Sequence, residues 1–238
     1  MIEFLLEYKN QLTFGVEILA AVTALLLYKK YKLTAAKYFI WFLIYLTIGD
    51  TLGNYTKFIH NNGFLSFLKG TPLAESFCYW WYTLFWKIGA IMFFAFYYQK
   101  ILKKVIFKKI IKISGYIFLV FSLIYIAFNW NDFFVGFFPI ISILGAIIIF
   151  ICTVFYYIEI LQSEKILTFY KSLNFYISTA IFIWWLIITP IVFYNIYMKN
   201  SDLNFIFLRK QIYLFANMFM YTTFTFALIY CKPEEDNV

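Results

Sequence analysis

The chain has 238 residues, of which 64% are hydrophobic, 25% aromatic and only 13% charged. Soluble domains run at about 45–50% apolar and about 25% charged, and a chain of this length cannot hide such an apolar surplus from water, so soluble globular and disordered classes are both excluded. The formal net charge of +8 resides in lysines lying between apolar runs, with no arginine-rich face and no nucleic-acid motif, which points to orientation in a membrane and not to nucleic-acid binding.

A membrane helix needs about 20 mostly apolar residues. Seven stretches meet that description, so the sequence predicts an all-α, polytopic membrane bundle forming a single domain over residues 1–238. The first covers about 11–28 and the second about 38–58. The third covers about 77–98 and holds three of the seven tryptophans. The fourth, about 113–130, carries no charge, and an Asn-Trp-Asn-Asp turn from Asn129 to Asp132 separates it from the fifth, about 133–158, which is predicted to contain Pro139 and Gly145. The sixth spans about 173–197, with Pro190 near its end, and the seventh about 207–230. Pro190 is expected to kink the sixth helix and free the carbonyl of Leu186, with Thr189 available to satisfy the local backbone. The runs are continuously apolar, without the short alternation of a membrane β-barrel. The amino-terminal segment MIEFLLEYKN has no basic lead, so no cleavable signal is expected.

Lysine placement sets the predicted orientation. Lys29, Lys30, Lys32 and Lys37 follow the first helix; Lys100, Lys103, Lys104, Lys108, Lys109 and Lys112 follow the third; Lys165 and Lys171 follow the fifth, and Lys232 lies in the tail. The opposite side has Lys9, Lys57, Lys69, Lys199, Arg209 and Lys210. The positive-inside rule then places the amino terminus outside and the carboxy terminus in the cytoplasm of a multi-pass protein, read as one of the bacterial inner membrane. The basic run over residues 100–112 is expected to form a surface helix on anionic membrane lipid, or a docking point for a signalling partner.

Ionisable residues inside a span cost about 2.5–3.5 kcal/mol each on insertion scales. Glu17, Asp50 and Lys87 stand out. At 1.5 Å per residue all three fall roughly 10–15 Å below the outer surface, and Asn54 and Asn217 fall in the same layer. Gln211 lies just above, with Arg209 and Lys210 at the rim. The sequence therefore predicts an outward-opening polar layer in which Asp50 and Lys87 can form an ion pair and Glu17 supplies a second acceptor. Trp86, beside Lys87, is a candidate wall or cation–π partner, and Trp184 and Trp185 fall mid-span.

Several chemistries are set aside. His60 is the only histidine, and Cys78, Cys152 and Cys231 are scattered in or at the ends of apolar runs, so neither a metal site nor a disulfide framework is expected. A retinal Schiff base needs a deep lysine in the last helix, which offers only Lys210 at its edge. No activated serine is evident, and the prolines at 72, 139, 190 and 233 lack the pairing of a repeat-built transporter. No cofactor is expected.

The segments GDTLGNY (49–55), FYYQKILKKVIFKKIIKI (96–113), EILQSEKIL (159–167), NFYISTAIFIWWLIITP (174–190) and ANMFMYTTF (216–224) resemble an uncharacterised seven-helix membrane family of AT-rich bacteria. That family often has an acid where Asp50 stands, an Asn-Met pair like Asn217-Met218, and an acid near Trp86 or Lys87. The last position departs here, with Lys87 in its place. The resemblance implies seven membrane spans and carries no activity.

Three readings follow. The first is a non-enzymatic sensory or accessory protein that binds a small ligand, lipid or partner in the polar layer. The second is a small transporter or ion-translocating protein using Asp50, Lys87 and Glu17. The third is a lipid-modifying enzyme.

Overall fold

A computed structural model describes residues 7–56, 59, 67, 70–71, 79–197 and 203–233. His60, Cys78, Lys57, Lys69 and Lys199 lie outside the described residues. All regular secondary structure among the described residues is helical. Helix α1 spans Lys9–Leu26, α2 Ala36–Gly53, α3 Ala90–Ile101, α4 Val105–Phe128, α5 Pro139–Leu161, α6 Leu173–Tyr197 and α7 Leu203–Tyr230. Each of the seven apolar stretches thus contains a helix.

Among the described residues, four segments are long and apolar enough to cross a membrane: Val105–Phe128, Pro139–Leu161, Leu173–Tyr194 and Leu203–Tyr230. They point to a membrane protein. The other three stretches are shorter or broken, and they carry Glu17, Asp50 and Lys87. In the third, an α-helical turn at Tyr79–Tyr82 passes into a π-helical segment, Thr83–Gly89, before α3 begins.

Several boundaries correct the sequence expectation. The second helix stops at Gly53 and not near 58. Residues 100–112 form no separate surface helix. The chain extends at Leu102, and α4 begins at Val105, eight residues before the expected 113. Lys108, Lys109 and Lys112 therefore ride on the first turns of a long apolar helix, as lysine stems can while their ammonium groups reach outward. Glu159 of α5 explains the break: its carboxylate accepts the backbone N–H of Lys103 (2.8 Å) and of Lys104 (2.7 Å). These donors precede the first turn of α4 and have no helical acceptor, so the carboxylate also sits favourably at the positive end of the helix dipole. The Lys104 ammonium reaches Gln162 on the same α5 end. Pro139 does not interrupt the fifth helix but starts it, where its missing N–H costs nothing. A short helix, Trp130–Val135, fills the space after the Asn129 turn.

Six helices close a ring in the order α1, α2, α3, α5, α6, α7 and back to α1, while α4 packs outside against α3 and α5. The sequence of α4 agrees with that position. Its buried residues Ile111, Gly115, Phe118, Ser122 and Ile126 form one narrow stripe, and Ile106, Ile110, Ile113, Ile117, Val120, Ile124 and Phe128 are exposed. Exposed isoleucines and phenylalanines at helical spacing make a lipid-facing side, the reverse of a soluble helix.

The helices alternate in direction, so the two ends of the ring differ. At one end, buried tyrosines bind the helices together. Tyr97 donates to Asn174 and Tyr98 to Ser178 (2.8 Å), tying α3 to α6. The Tyr31 hydroxyl reaches the carbonyls of Leu228 (3.0 Å) and Cys231 (2.8 Å), the orphan acceptors closing α7. The other end, where α1 begins and α2 finishes, is open.

Candidate functional site

The open end holds a cavity of about 800 Å³. Five of the six ring helices and the π-helical segment ahead of α3 contribute to its wall; α3 itself and α4 do not. From α1 come Lys9, Asn10, Gln11 and Glu17; from α2, Asp50, and from its C-cap, Asn54. The turn and π-helical segment before α3 supply Tyr82, Trp86 and Lys87, and Phe137 and Ser142 stand at the start of α5. Trp184 and Trp185 come from α6, and Tyr213, Asn217 and Tyr221 from α7. Glu17, Asp50, Asn54, Trp86, Lys87 and Asn217, the six residues singled out in the sequence, thus line one cavity.

The wall is built by close packing of α2 on the third stretch. A Cβ on Gly49 would stand 3.0 Å from the ring of Phe85, and one on Gly53 3.0 Å from the ring of Trp81. Two glycines one turn apart thus admit two aromatic rings. Trp81 Nε1 donates to the Gly49 carbonyl at 2.8 Å, and Phe85 stacks on Tyr45 at 5.1 Å. The Tyr45 hydroxyl donates to the Phe85 carbonyl at 3.2 Å and occupies the space where Gly89 lacks a side chain. That carbonyl lies inside the π-helical segment. The extra residue in such a turn shifts the register of everything before it, and π-bulges commonly occur at functional positions. Here the turn presents both Trp86 and Lys87 to the cavity.

The tryptophans hold the polar groups. Trp86 Nε1 donates to Asp50 Oδ1 at 3.1 Å, and Trp184 Nε1 donates to Asn217 Oδ1 at 2.7 Å. The Trp86 and Trp184 rings stack at 6.0 Å, and Trp184 meets Trp185 edge-on at 5.2 Å. Asn54 turns its amide back to the Asp50 carbonyl at 2.8 Å. Asp50 and Asn217 are thereby fixed by indole donors on one aromatic wall.

The expected Asp50–Lys87 ion pair is not made. The carboxylate of Asp50 takes the indole of Trp86, and the Lys87 ammonium stands 3.3 Å from the centre of the Phe137 ring. Lys87 Nζ is buried and has no hydrogen-bond partner among the described residues. The π turn sets the direction of Lys87 away from α2, and that turn has no signature in the sequence. Glu17 is 1% exposed. It lies beside Asp50, within reach of the Thr47 and Tyr221 hydroxyls, yet neither of its oxygens makes a hydrogen bond among the described residues, nor does the Tyr221 hydroxyl. A buried polar group without a partner costs about 1–3 kcal/mol, and more when it is charged. Glu17 and Tyr221 stand within reach of one another, so the cavity wall carries one carboxyl–hydroxyl pair and one ammonium whose hydrogen bonds are not made.

Sequence reasoning missed Tyr221, Thr47 and Phe137. Tyr221 and Phe137 are among 21 tyrosines and 32 phenylalanines, and nothing local separates cavity rings from lipid-facing ones. Pro190 lies inside an unbroken α6. The Thr189 hydroxyl donates to the Trp185 carbonyl at 2.6 Å, one residue before the Leu186 carbonyl that was expected to be freed. No group of three or more potential metal ligands occurs among the described residues.

No protein-family model matches the chain, and no curated protein or solved structure matches it.

Proposed function

We propose that this is a multi-pass protein of the bacterial inner membrane, crossing it seven times with the amino terminus outside, that binds a small molecule in the outward-facing cavity and acts as a sensory or accessory component without chemistry of its own. One observation carries the reading. A space of about 800 Å³ is walled by five ring helices and the π-helical segment and bears buried polar groups from α1, the third stretch and α7 that have no hydrogen-bond partner among the described residues. Ligand sites are usually concave and mostly apolar, with a few placed polar groups, and span about 300–1,000 Å³. The lysine bias supports the orientation. Because the cavity draws on helices that lead to the opposite face, a ligand that changes their packing can be read there, at the basic α3–α4 junction that Glu159 holds. In this reading the junction is where a signalling partner docks, and membrane lipid covers the outer face of α4.

Two measurements test this. Single cysteines at Gln211 and at Lys108 should react with an impermeant thiol reagent from opposite sides of intact cells, Gln211 from outside. Equal labelling from one side would end the topology. For binding, Glu17→Gln and Tyr221→Phe should each change the stabilisation that a bound molecule confers on the purified protein. A ligand response indifferent to both would place binding elsewhere. A second reading, ion-coupled transport, draws on the adjacency of Glu17 and Asp50, since intramembrane carboxyl groups often carry coupling ions. Substrate flux in proteoliposomes abolished by Asp50→Asn would favour it.

A further inference from the structure

We infer that the cavity takes a zwitterion with an apolar body: an ammonium end against Glu17 and Asp50, an acid oxyanion end against Lys87, and the body along the Trp86–Trp184–Trp185 wall. This rests on the binding reading above and names its ligand class. The argument begins with the two signs of charge. Glu17, 1% exposed, has two oxygens without a hydrogen-bond partner among the described residues, and the Lys87 ammonium, which meets only the Phe137 ring, also lacks one. Both line one cavity, yet neither satisfies the other. A purely cationic ligand would answer the carboxylates and leave Lys87 uncompensated; a purely anionic one would do the reverse. One molecule carrying both ends answers both, and a buried charge is stable only when paired and hydrogen-bonded.

The surroundings fit the same molecule. The Tyr221 hydroxyl is also unpartnered and is 1% exposed, so it can complete the shell around the ammonium beside Glu17. The stacked Trp86 and Trp184 and the edge-on Trp185 offer flat apolar surface on the same cavity wall, for the body that extends beyond the charged groups. Aromatic faces also attract ammonium groups. Asp50 is already oriented by the Trp86 indole, so its carboxylate needs little reorganisation to bind. The chemistry is shared by free amino acids and by the headgroup of phosphatidylethanolamine.

The test uses the full chain in phosphatidylglycerol nanodiscs, read by tryptophan fluorescence and thermal unfolding. Four probes share one ring: L-phenylalanine with both charges, phenethylamine with the ammonium, 3-phenylpropionate with the carboxylate, and 2-phenylethanol with neither. Phenylalanine should bind at least about tenfold more tightly than either singly charged probe, since a charge-assisted hydrogen bond is worth at least about 1.4 kcal/mol. Glu17→Gln should weaken phenylalanine and phenethylamine by about tenfold and leave phenylpropionate unchanged; Lys87→Met should do the converse. The probe series on the unaltered protein stands even where a variant fails to fold. In a parallel arm, adding phosphatidylethanolamine to the nanodisc separates the sources. Competition with phenylalanine supports the inference with a lipid headgroup as ligand, and unchanged phenylalanine binding supports it with a free zwitterion. Phenylethanol or one singly charged probe binding as tightly as phenylalanine overturns the ligand class while leaving the cavity a binding site. Binding by none of the probes, with no response to phosphatidylethanolamine, overturns both.

Discussion

Gly89 is the residue on which the geometry of the π-helical segment can be tested most directly. Its missing side chain is replaced in space by the Tyr45 hydroxyl, which donates to the Phe85 carbonyl at 3.2 Å. In Gly89→Ala the new methyl collides with that hydroxyl and stands 3.1 Å from the Leu84 carbonyl. Overpacking costs about 1–3 kcal/mol, and loss of the Tyr45 bond about 0.5–1.5 kcal/mol. Alanine returns up to about 1 kcal/mol of helix propensity. The net is a loss of about 2 kcal/mol. Tyr45→Phe loses only the hydrogen bond, about 1 kcal/mol. The double change removes the collision, because the next Tyr45 atom stands 3.5 Å from the methyl, an ordinary contact. It should therefore be no less stable than Gly89→Ala alone, whereas additive effects would sum to about 3 kcal/mol. Reversible unfolding of all four proteins in mixed micelles measures the cycle. Strict additivity would show that Tyr45 does not fill the place of the glycine, and the account of how Trp86 and Lys87 are presented would fall with it.

Other outcomes follow from the same contacts. Because Asp50 and Lys87 do not pair, the stability effects of Asp50→Asn and Lys87→Met should add within about 0.5 kcal/mol; rescue in the double variant would restore the ion pair read from the sequence. Glu159→Ala should lower stability by about 1–2 kcal/mol through loss of two backbone hydrogen bonds ahead of α4, measured by thermal unfolding, and Glu159→Gln should cost less because it keeps an acceptor. Trp184→Phe leaves the Asn217 carbonyl without its indole donor, and unfolding midpoints should show a loss of about 1–3 kcal/mol; an unchanged midpoint would remove that bond from the wall.

What was legible in the sequence came from composition and depth. Continuous apolar runs predict helices, because in lipid every backbone group must be satisfied within its own segment. Counting residues from the ends of those runs was enough to bring Glu17, Asp50, Asn54, Trp86, Lys87 and Asn217 to one level, because a helix rises by a fixed step. Rotation about each helix axis was not legible. Depth put Asp50 and Lys87 side by side, but the π turn at Thr83–Gly89 directs Lys87 to Phe137 and leaves Trp86 to face Asp50. The start of α4 was also out of reach. The lysines of residues 100–112 suggested a segment outside the membrane, and only the distant Glu159, received through packing of α5, fixes the break before Val105.

The sequence by itself determined that the chain is a helical protein for lipid surroundings and which rare polar groups share a layer within it. Only the tertiary structure decided that five helices and the π-helical segment enclose those groups while α4 stays outside, and which of them make no hydrogen bond. The physical reason is that periodicity and burial cost act along one chain segment, whereas a cavity and its unpaired charges arise from the relative rotation of helices far apart in sequence.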